Sequence, residues 1–470
     1  MNENTVCKTD FLKSLPPELA VDLLPDIEAK IKQSRRKIVV LDDDPTGTQT
    51  VHSINVLTEW SIASLEKEMK SDLSAFYVLT NSRSLTLTDS IALHEGIGVN
   101  LKKAAMQTGV RMEVISRSDS TLRGHFPGET DALRHALGMK AMPYLIIPFF
   151  LEGGRYTVND VHFVDEGDTL IPAAQTPYAK DVSFGYSCSN LREWVVEKTG
   201  GAIPADKVSS VSIELLRRGK IEQIVDILGA LEPGSACIVN AASYRDMEVF
   251  VLALIKAEEQ GHNFLPRTAA SYVRVRAGIR PIPLLMQADL TSKNIHGGLF
   301  VVGSYVPKTT AQLEALVEQI DIKKIEVNVK NLLDDKERFL EIQRAATMAD
   351  QHIVEGKDSV IYTSRQLFKG SDSKSSISIG QSVSDGLVEI VLRVQYQPYY
   401  MVAKGGITSS DLATRGLKVK RALVKGQVLP GVPVWELGEE SRYPGMPYIV
   451  FPGNVGDENS LFKIQQLLKR

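Results

Sequence analysis

The feature that most constrains the fold is an alternation. Short apolar runs at 38–41, 76–80, 112–116, 144–149 and 236–240 recur with helical patterns between them, for example over 91–107 and 244–259. Runs this short and this continuously apolar fit strands buried on both faces, and strands alternating with helices predict a parallel sheet covered by helices on each side. The pattern restarts near residue 298, with strands expected in "LFVVGS", "KIEVNV", "DSVIYTS", "PYYMVAKG" and "YIVFPG". Helices are expected in "KTTAQLEALVEQI", "KERFLEIQRAATMADQHI", "SDLATRGL" and "DENSLFKIQQLLKR". The chain is therefore expected to be α/β, with two domains that are each a mainly parallel sheet flanked by helices. Residues 1–35 form an N-terminal helical extension in this reading, 36–278 the first domain, 279–297 a linker and 298–470 the second domain. Residues 153–190, rich in Gly and aromatics, break the alternation and are expected to form part of a cleft. Residues 370–386 hold seven serines and read as a flexible loop able to cover a site.

Composition narrows the function classes. A net charge of −3 on 470 residues gives no field to recruit nucleic acid or an acidic membrane surface. Three widely spaced cysteines, Cys7, Cys188 and Cys237, argue against a disulfide framework or a zinc site. No apolar stretch approaches the roughly 20 residues of a membrane span, and "MNENTVCKTDFLKSLPPE" lacks the apolar core of a signal peptide. A cytoplasmic setting is expected. The oligomeric state is open, a homo-oligomer included.

Chemistry concentrates where strands end. "VVLDDDPTGT" places Asp42, Asp43 and Asp44 at the mouth of a strand, where open α/β sheets build their sites. Adjacent like charges repel, so a cation, a cationic side chain or a proton-transfer role is the reason to keep them. "TNSRSL" brings Arg83 to a second strand end, "SRSDSTLRGHFPGE" brings Arg117, Asp119, Ser120, Thr121 and Arg123, and "EGGRYTVND" adds Arg155 and Asp160. Guanidinium forks suit a carboxylate ligand and carboxylates suit sugar hydroxyls or a magnesium ion, so the ligand described is a small polyhydroxylated acid. The bland alternative, that Ser118, Asp119 or Ser120 only caps the next helix, accounts for one cluster but not for all of them. In the second half, Gly405 and Gly406 precede Thr408, Ser409, Ser410 and a helix expected near Asp411. Gly303 with Ser304, and Gly453 and Gly456 around Asn454, make two further glycine turns, an arrangement that suits nucleotide phosphates. The GxxxxGK signature followed by Ser or Thr is missing. "TNSR" (80–83) and "YTSR" (362–365) echo each other, a match too short to argue a repeat.

A competing reading takes Asp42 and Asp44 with Thr46 as DxDxT, the first motif of haloacid-dehalogenase-type phosphatases, with Asp42 as nucleophile and Asp44 as acid/base. That scheme wants a later strand ending in an acidic pair, and the downstream pair Asp334–Asp335 sits at an expected helix start. It also leaves the second half unused. A non-catalytic protein that binds a sugar acid is the other alternative.

Six motifs in order resemble those of the four-carbon acid sugar kinase family: "DDPTG" (43–47), "SR" (82–83), "RSDSTLRGH" (117–125), "GS" (303–304), "GGIT" (405–408) and "GNVG" (453–456). The resemblance implies that the first domain binds the acid sugar and the second ATP, with the phosphoryl group passing across a cleft between them. It implies substrate contacts from Asp43, Asp44, Arg83, Arg117, Ser118, Asp119 and Ser120. ATP would meet Ser304, Gly405, Gly406, Ile407, Thr408 and Gly453, with Mg2+ bridging the phosphates. An aspartate of the 42–44 cluster would take the proton of the reacting hydroxyl, and Asp44 is the one favoured. Departures from the family pattern (Arg117 for Lys, His125 for Asn, "GGIT" for "GGET") bear on which acid is the substrate.

Overall fold

The computed structural model describes residues 4–290, 294–304, 306–319, 321–365, 373–453 and 455–469. They form two compact units, the first comprising Met1–Val51 and Glu59–Pro281, the second His52–Thr58 and Ile282–Arg470.

In the first unit seven strands run parallel in the order Val208–Val211, Ala236–Val239, Tyr144–Ile147, Leu265–Thr268, Met112–Arg117, Lys37–Asp42, Ala75–Leu79. Every residue of Lys37–Asp42, which is paired to a strand on each side, is buried. Lys37 tolerates this because its ammonium reaches the carbonyls of Ser71, at 2.7 Å, and Leu73. The helix Leu87–Thr108 starts where the Thr86 hydroxyl accepts the Asp89 amide and stops at Gly109, with φ at 69°. Helix Tyr244–Glu259 begins with a capping box between Ser243 and Asp246. Residues 153–190 contain a small antiparallel sheet of Arg155–Val158, Val161–Glu166 and Thr169–Pro172, and Val6–Cys7 pairs with its edge. The N-terminal segment thus holds a short strand as well as the helices Lys8–Ser14 and Leu24–Ser34.

The second unit has five parallel strands in the order Pro447–Phe451, Met401–Lys404, Leu299–Val302, Ser359–Thr363, Lys323–Val327. Antiparallel strands extend this sheet: Val432–Leu437 pairs with Pro447–Phe451, Arg421–Leu429 with Val432–Leu437, and Ile54–Leu57 with Arg421–Leu429. Side chains of Arg421–Leu429 alternate in burial, as on a sheet with one packed face. The serine-rich segment is corrected by the structure: residues 370–372 lie outside the described residues, and Ser373–Arg393 is a helix rather than a loop. Ile379, Val383, Leu387 and Val391 recur at four-residue spacing, and the last two are buried at 1% and 0% exposure. Among the described residues no helix is long and apolar enough to cross a membrane.

Candidate active site

The strand ends of the first unit hold the aspartates, and each meets a different environment. Asp42 closes its strand and accepts Nη1 of Arg117 at 3.0 Å. The turn above it, Pro45–Thr48, passes so close that a Cβ on Gly47 would overlap the Asp42 carboxylate. Asp43 accepts the Ser118 hydroxyl at 2.6 Å and lies 3.7 Å from the Arg117 guanidinium. Asp44 accepts the Thr46 amide at 2.8 Å, which fixes the turn, and pairs with Arg83. Arg83 reaches Asp119 at 3.1 Å on its other side, and Asp119 also takes Nε of Arg123 at 2.8 Å. Ser120 follows Asp119 in the chain, but the bond its carbonyl makes is to Nε2 of buried His162, at 2.8 Å, not to the aspartates or arginines. The structure therefore gathers Asp43, Asp44, Arg83, Arg117, Ser118 and Asp119 into one cluster, with Ser120 beside it in the chain.

Burial and charge divide the carboxylates. Burial pushes Asp42 up to about 7 against the pull of Arg117, with the charges of Asp43 and Asp44 adding to the rise. Burial also raises Asp43, against Arg83 and Arg117. Asp44 experiences the same burial, but Arg83, Arg117 and the bonds from Thr46 outweigh it and hold the group below the usual carboxylate range. Asp119 is held low in the same way, burial being outweighed by Arg83 and Arg123. Two buried atoms of the cluster, Asp43 Oδ1 and Arg117 Nε, have no hydrogen-bond partner among the described residues, and Arg83 Nη1 meets Asp119 Oδ1 as an ion pair without an aligned hydrogen bond. Buried polar atoms are ordinarily paired, so the Asp43 acceptor and the Arg117 donor suit a polar ligand.

The Asp42 environment has a stability signature. A free aspartate titrates near about 3.9, so between roughly pH 4 and 7 folded Asp42 holds a proton that the unfolded chain has released. Its contribution to stability therefore falls as pH rises through that window. Asp42→Asn, which keeps a neutral group, should gain in melting temperature relative to the parent between pH 5 and pH 8. A relative loss over that range would mean that Arg117 keeps Asp42 ionised.

A second layer, which sequence reasoning missed, holds the cluster from behind. Arg267, from the strand Leu265–Thr268, donates to Ser116 Oγ at 3.0 Å and pairs with Glu129. Glu129 accepts the Ser82 hydroxyl at 2.9 Å, next to Arg83 in the chain. A Cβ on Gly124, whose φ is 125°, would come within 2.6 Å of Arg267 Nη2 and 2.8 Å of Ser118 Oγ. The signal for Arg267 was obscured by Pro266, which weakens a strand reading.

In the second unit the expected turns also come together at strand ends. Gly405 has φ at 110°, a conformation that favours glycine, and its amide donates to Phe451 O at 2.8 Å. A Cβ there would lie 3.8 Å from Ser304 Cβ, and one on Gly303 would lie 3.1 Å from Thr408 Oγ1. Gly453 joins through Lys404, a residue sequence reasoning gave no role. Its ammonium sits 2.7 Å from Pro452 O, 3.3 Å from Gly453 O and 3.8 Å over the Phe451 ring. The side chain is fully buried, and burial, with the charge of Lys308 adding to it, pushes its pKa down to about 7. The helix begins earlier than expected, at Gly406, so Ser409, Ser410 and Asp411 lie inside it. Ser409 instead donates its hydroxyl back to Gly405 O at 2.7 Å. Its N-cap residue, Gly405, has no side chain to cap it, and Ile407 is 59% exposed. Asn454 lies outside the described residues.

Residues 38–276 match the model of a sugar-binding N-terminal domain and residues 299–461 that of a nucleotide-binding C-terminal domain. The chain belongs to the family these domains define, the four-carbon acid sugar kinase family. A D-erythronate kinase of Heliobacterium modesticaldum is 26% identical over 332 residues, covering 66% of this chain and 70% of the relative. Two solved structures share the fold at 16% identity. One is a Haemophilus influenzae protein of the DUF1537 family, with a TM-score of 0.63 over 92% of this chain and 100% of that one. The other, from Salmonella typhimurium LT2 and described as a putative tRNA synthase, has a TM-score of 0.66 over 92% of this chain and 99% of that one.

Proposed function

We propose that this chain is an ATP-dependent kinase that phosphorylates a hydroxyl of a small, four-carbon sugar acid. The observation that carries the reading is the pairing in one chain of two family domains with complementary chemistry. The sugar-binding domain gathers aspartates, serines and arginines at its strand ends, and the nucleotide-binding domain gathers three glycine turns. The relative named a D-erythronate kinase supports the same substrate class.

Asp43, Arg83, Arg117 and the Ser118–Ser120 segment would bind the acid, guanidinium donors meeting its carboxylate and Asp43 with Ser118 its hydroxyls. Asp44 is the proposed base. Its carboxylate, 17% exposed and held ionised by Arg83, would accept the proton of the reacting hydroxyl while that oxygen attacks the γ-phosphorus and ADP leaves. A low pKa is compatible with this role, because phosphoryl transfer passes through a loose transition state and the base acts chiefly by position. Ser304, Gly405 to Thr408 and Gly453 would receive the nucleotide, with backbone amides facing its phosphates. A magnesium ion would ride on those phosphates and neutralise charge there. Among the described residues no three His, Cys, Asp or Glu side chains gather to hold a metal, and Mg2+ is commonly bound through substrate phosphates with one or two carboxylates. The phosphatase alternative requires Asp42 as nucleophile, a poor fit to a carboxylate 2% exposed beneath Gly47 and paired with Arg117.

The test is ADP release by the full chain with ATP, Mg2+ and a panel of four- to six-carbon sugar acids. Turnover that requires a four-carbon acid is expected. ATP hydrolysis indifferent to every acid would refute the reading.

A further inference from the structure

We infer that Arg365 is a nucleotide-binding residue whose guanidinium meets the phosphates of the bound nucleotide beside Ser304. Arg365 lies just past the strand Ser359–Thr363, which runs parallel to Leu299–Val302, with Tyr362 opposite Val302. It therefore emerges at the same sheet edge as Gly303 and Ser304, and its Nη1 donates to the Ser304 carbonyl at 2.5 Å. That single bond orients the fork. The other two nitrogens, Nε and Nη2, are buried and have no hydrogen-bond partner among the described residues. No carboxylate among the described residues forms an ion pair with this guanidinium; Glu314 and Glu326 act on it only through their fields. Burial without such a partner lowers its pKa from the usual arginine value.

A half-buried guanidinium with two buried N–H groups that no described residue answers is costly unless an anion completes it. Guanidinium forks match phosphate geometry, each nitrogen donating to a separate oxygen. The turn residues Gly405 and Thr408 lie beside Ser304 and Gly303, so a polyphosphate held there would come within reach of the fork. This gives the otherwise unused "YTSR" motif a role: it brings a second cation, besides Lys404, to the Gly-rich turns of the second unit. The inference rests on the proposal that these turns bind a nucleotide, and it specifies the group that reads the phosphates.

Calorimetry of the full chain with ATP, ADP and adenosine tests it. Arg365→Ala should weaken ATP and ADP binding by roughly tenfold to a hundredfold, the range expected for losing charged hydrogen bonds. Adenosine affinity should change less than about twofold. Guanidinium ion, added below denaturing concentrations, should restore part of the ATP affinity to Arg365→Ala and leave the parent unchanged, an effect a purely structural role would not give. Arg365→Lys, which keeps the charge and most of the stem, serves if the alanine variant does not fold and should lose ATP affinity severalfold, because one ammonium cannot replace the fork. Variants that bind ATP as tightly as the parent, or that lose ATP and adenosine equally, overturn the assignment. A parent that binds none of the three refutes the nucleotide reading itself.

Discussion

Asp44→Asn is expected to lower kcat for the sugar acid by roughly 10² to 10⁴, the usual contribution of a positioned general base. The substitution keeps the shape of the side chain and an oxygen to accept the Thr46 amide, so the turn Pro45–Thr48 should persist. Arg83 keeps Asp119 at 3.1 Å as a counter-charge, so the guanidinium is not left alone. What disappears is the basic lone pair and one negative charge. The loss should fall on kcat, with nucleotide affinity near that of the parent. Steady-state kinetics with a separate nucleotide titration separates the roles. A variant with normal kcat and a raised KM for the acid would make Asp44 a binding residue, and Asp43 the next candidate for the base. Asp42 is a weaker candidate, since both its oxygens lie against the Gly47 turn.

Gly406→Val should abolish ATP binding while the protein stays folded and still binds the acid. Gly406 is the first residue of the helix Gly406–Asp411 and is half-buried, after Gly405, whose left-handed conformation turns the chain. The amides of a helix's first turn have no partner inside the helix, and the N-cap residue here, Gly405, has no side chain to cap them. They are the groups the proposal directs at phosphate, and a branched side chain among them would hold a nucleotide away. Valine costs the first position of a helix little, and the Ser409 hydroxyl bonds to Ala403 and Gly405 carbonyls that hold the turn are untouched. If Gly406 serves only the fold, the variant should instead lose melting temperature and keep its ATP affinity. Calorimetry with ATP, beside a thermal melt, separates the two, and Thr408→Ala is the milder companion.

How much of this was legible in the sequence follows from what is local. Strands buried on both faces announce themselves as apolar runs, so Lys37–Asp42, Ala75–Leu79 and Leu299–Val302 could be read directly, together with the polar clusters at their ends. In the hairpin of Arg421–Leu429 with Val432–Leu437, turned at Pro430 and Gly431, burial alternates along the first strand. Leu423 and Leu429 blur its polar face and the second strand carries a single polar residue, Glu436, so the period-two signal was weak. The placement of His52–Thr58 in the second unit was not legible at all. Its partner strand lies more than three hundred residues away in the chain, Ile54 opposite Val424, and no local pattern encodes such a pairing. Serine composition misdirected the reading of Ser373–Arg393, where the four-residue spacing of Ile379, Val383, Leu387 and Val391 was the better guide. The first layer of the acid cluster was legible because its residues follow strands. The second was not, because Glu129 reads only as a helix opener and Arg267 follows a proline.

The central claim is that a phosphoryl group passes from a nucleotide to a sugar acid. The most direct measurement is phosphorus NMR of a reaction containing the full chain, ATP, Mg2+ and D-erythronate, with related four-carbon acids in parallel. The account predicts that the γ-phosphorus resonance is replaced by that of a phosphate monoester on the acid, in amounts equal to the ADP formed. Inorganic phosphate as the sole product, or ATP left intact with every acid, would contradict it.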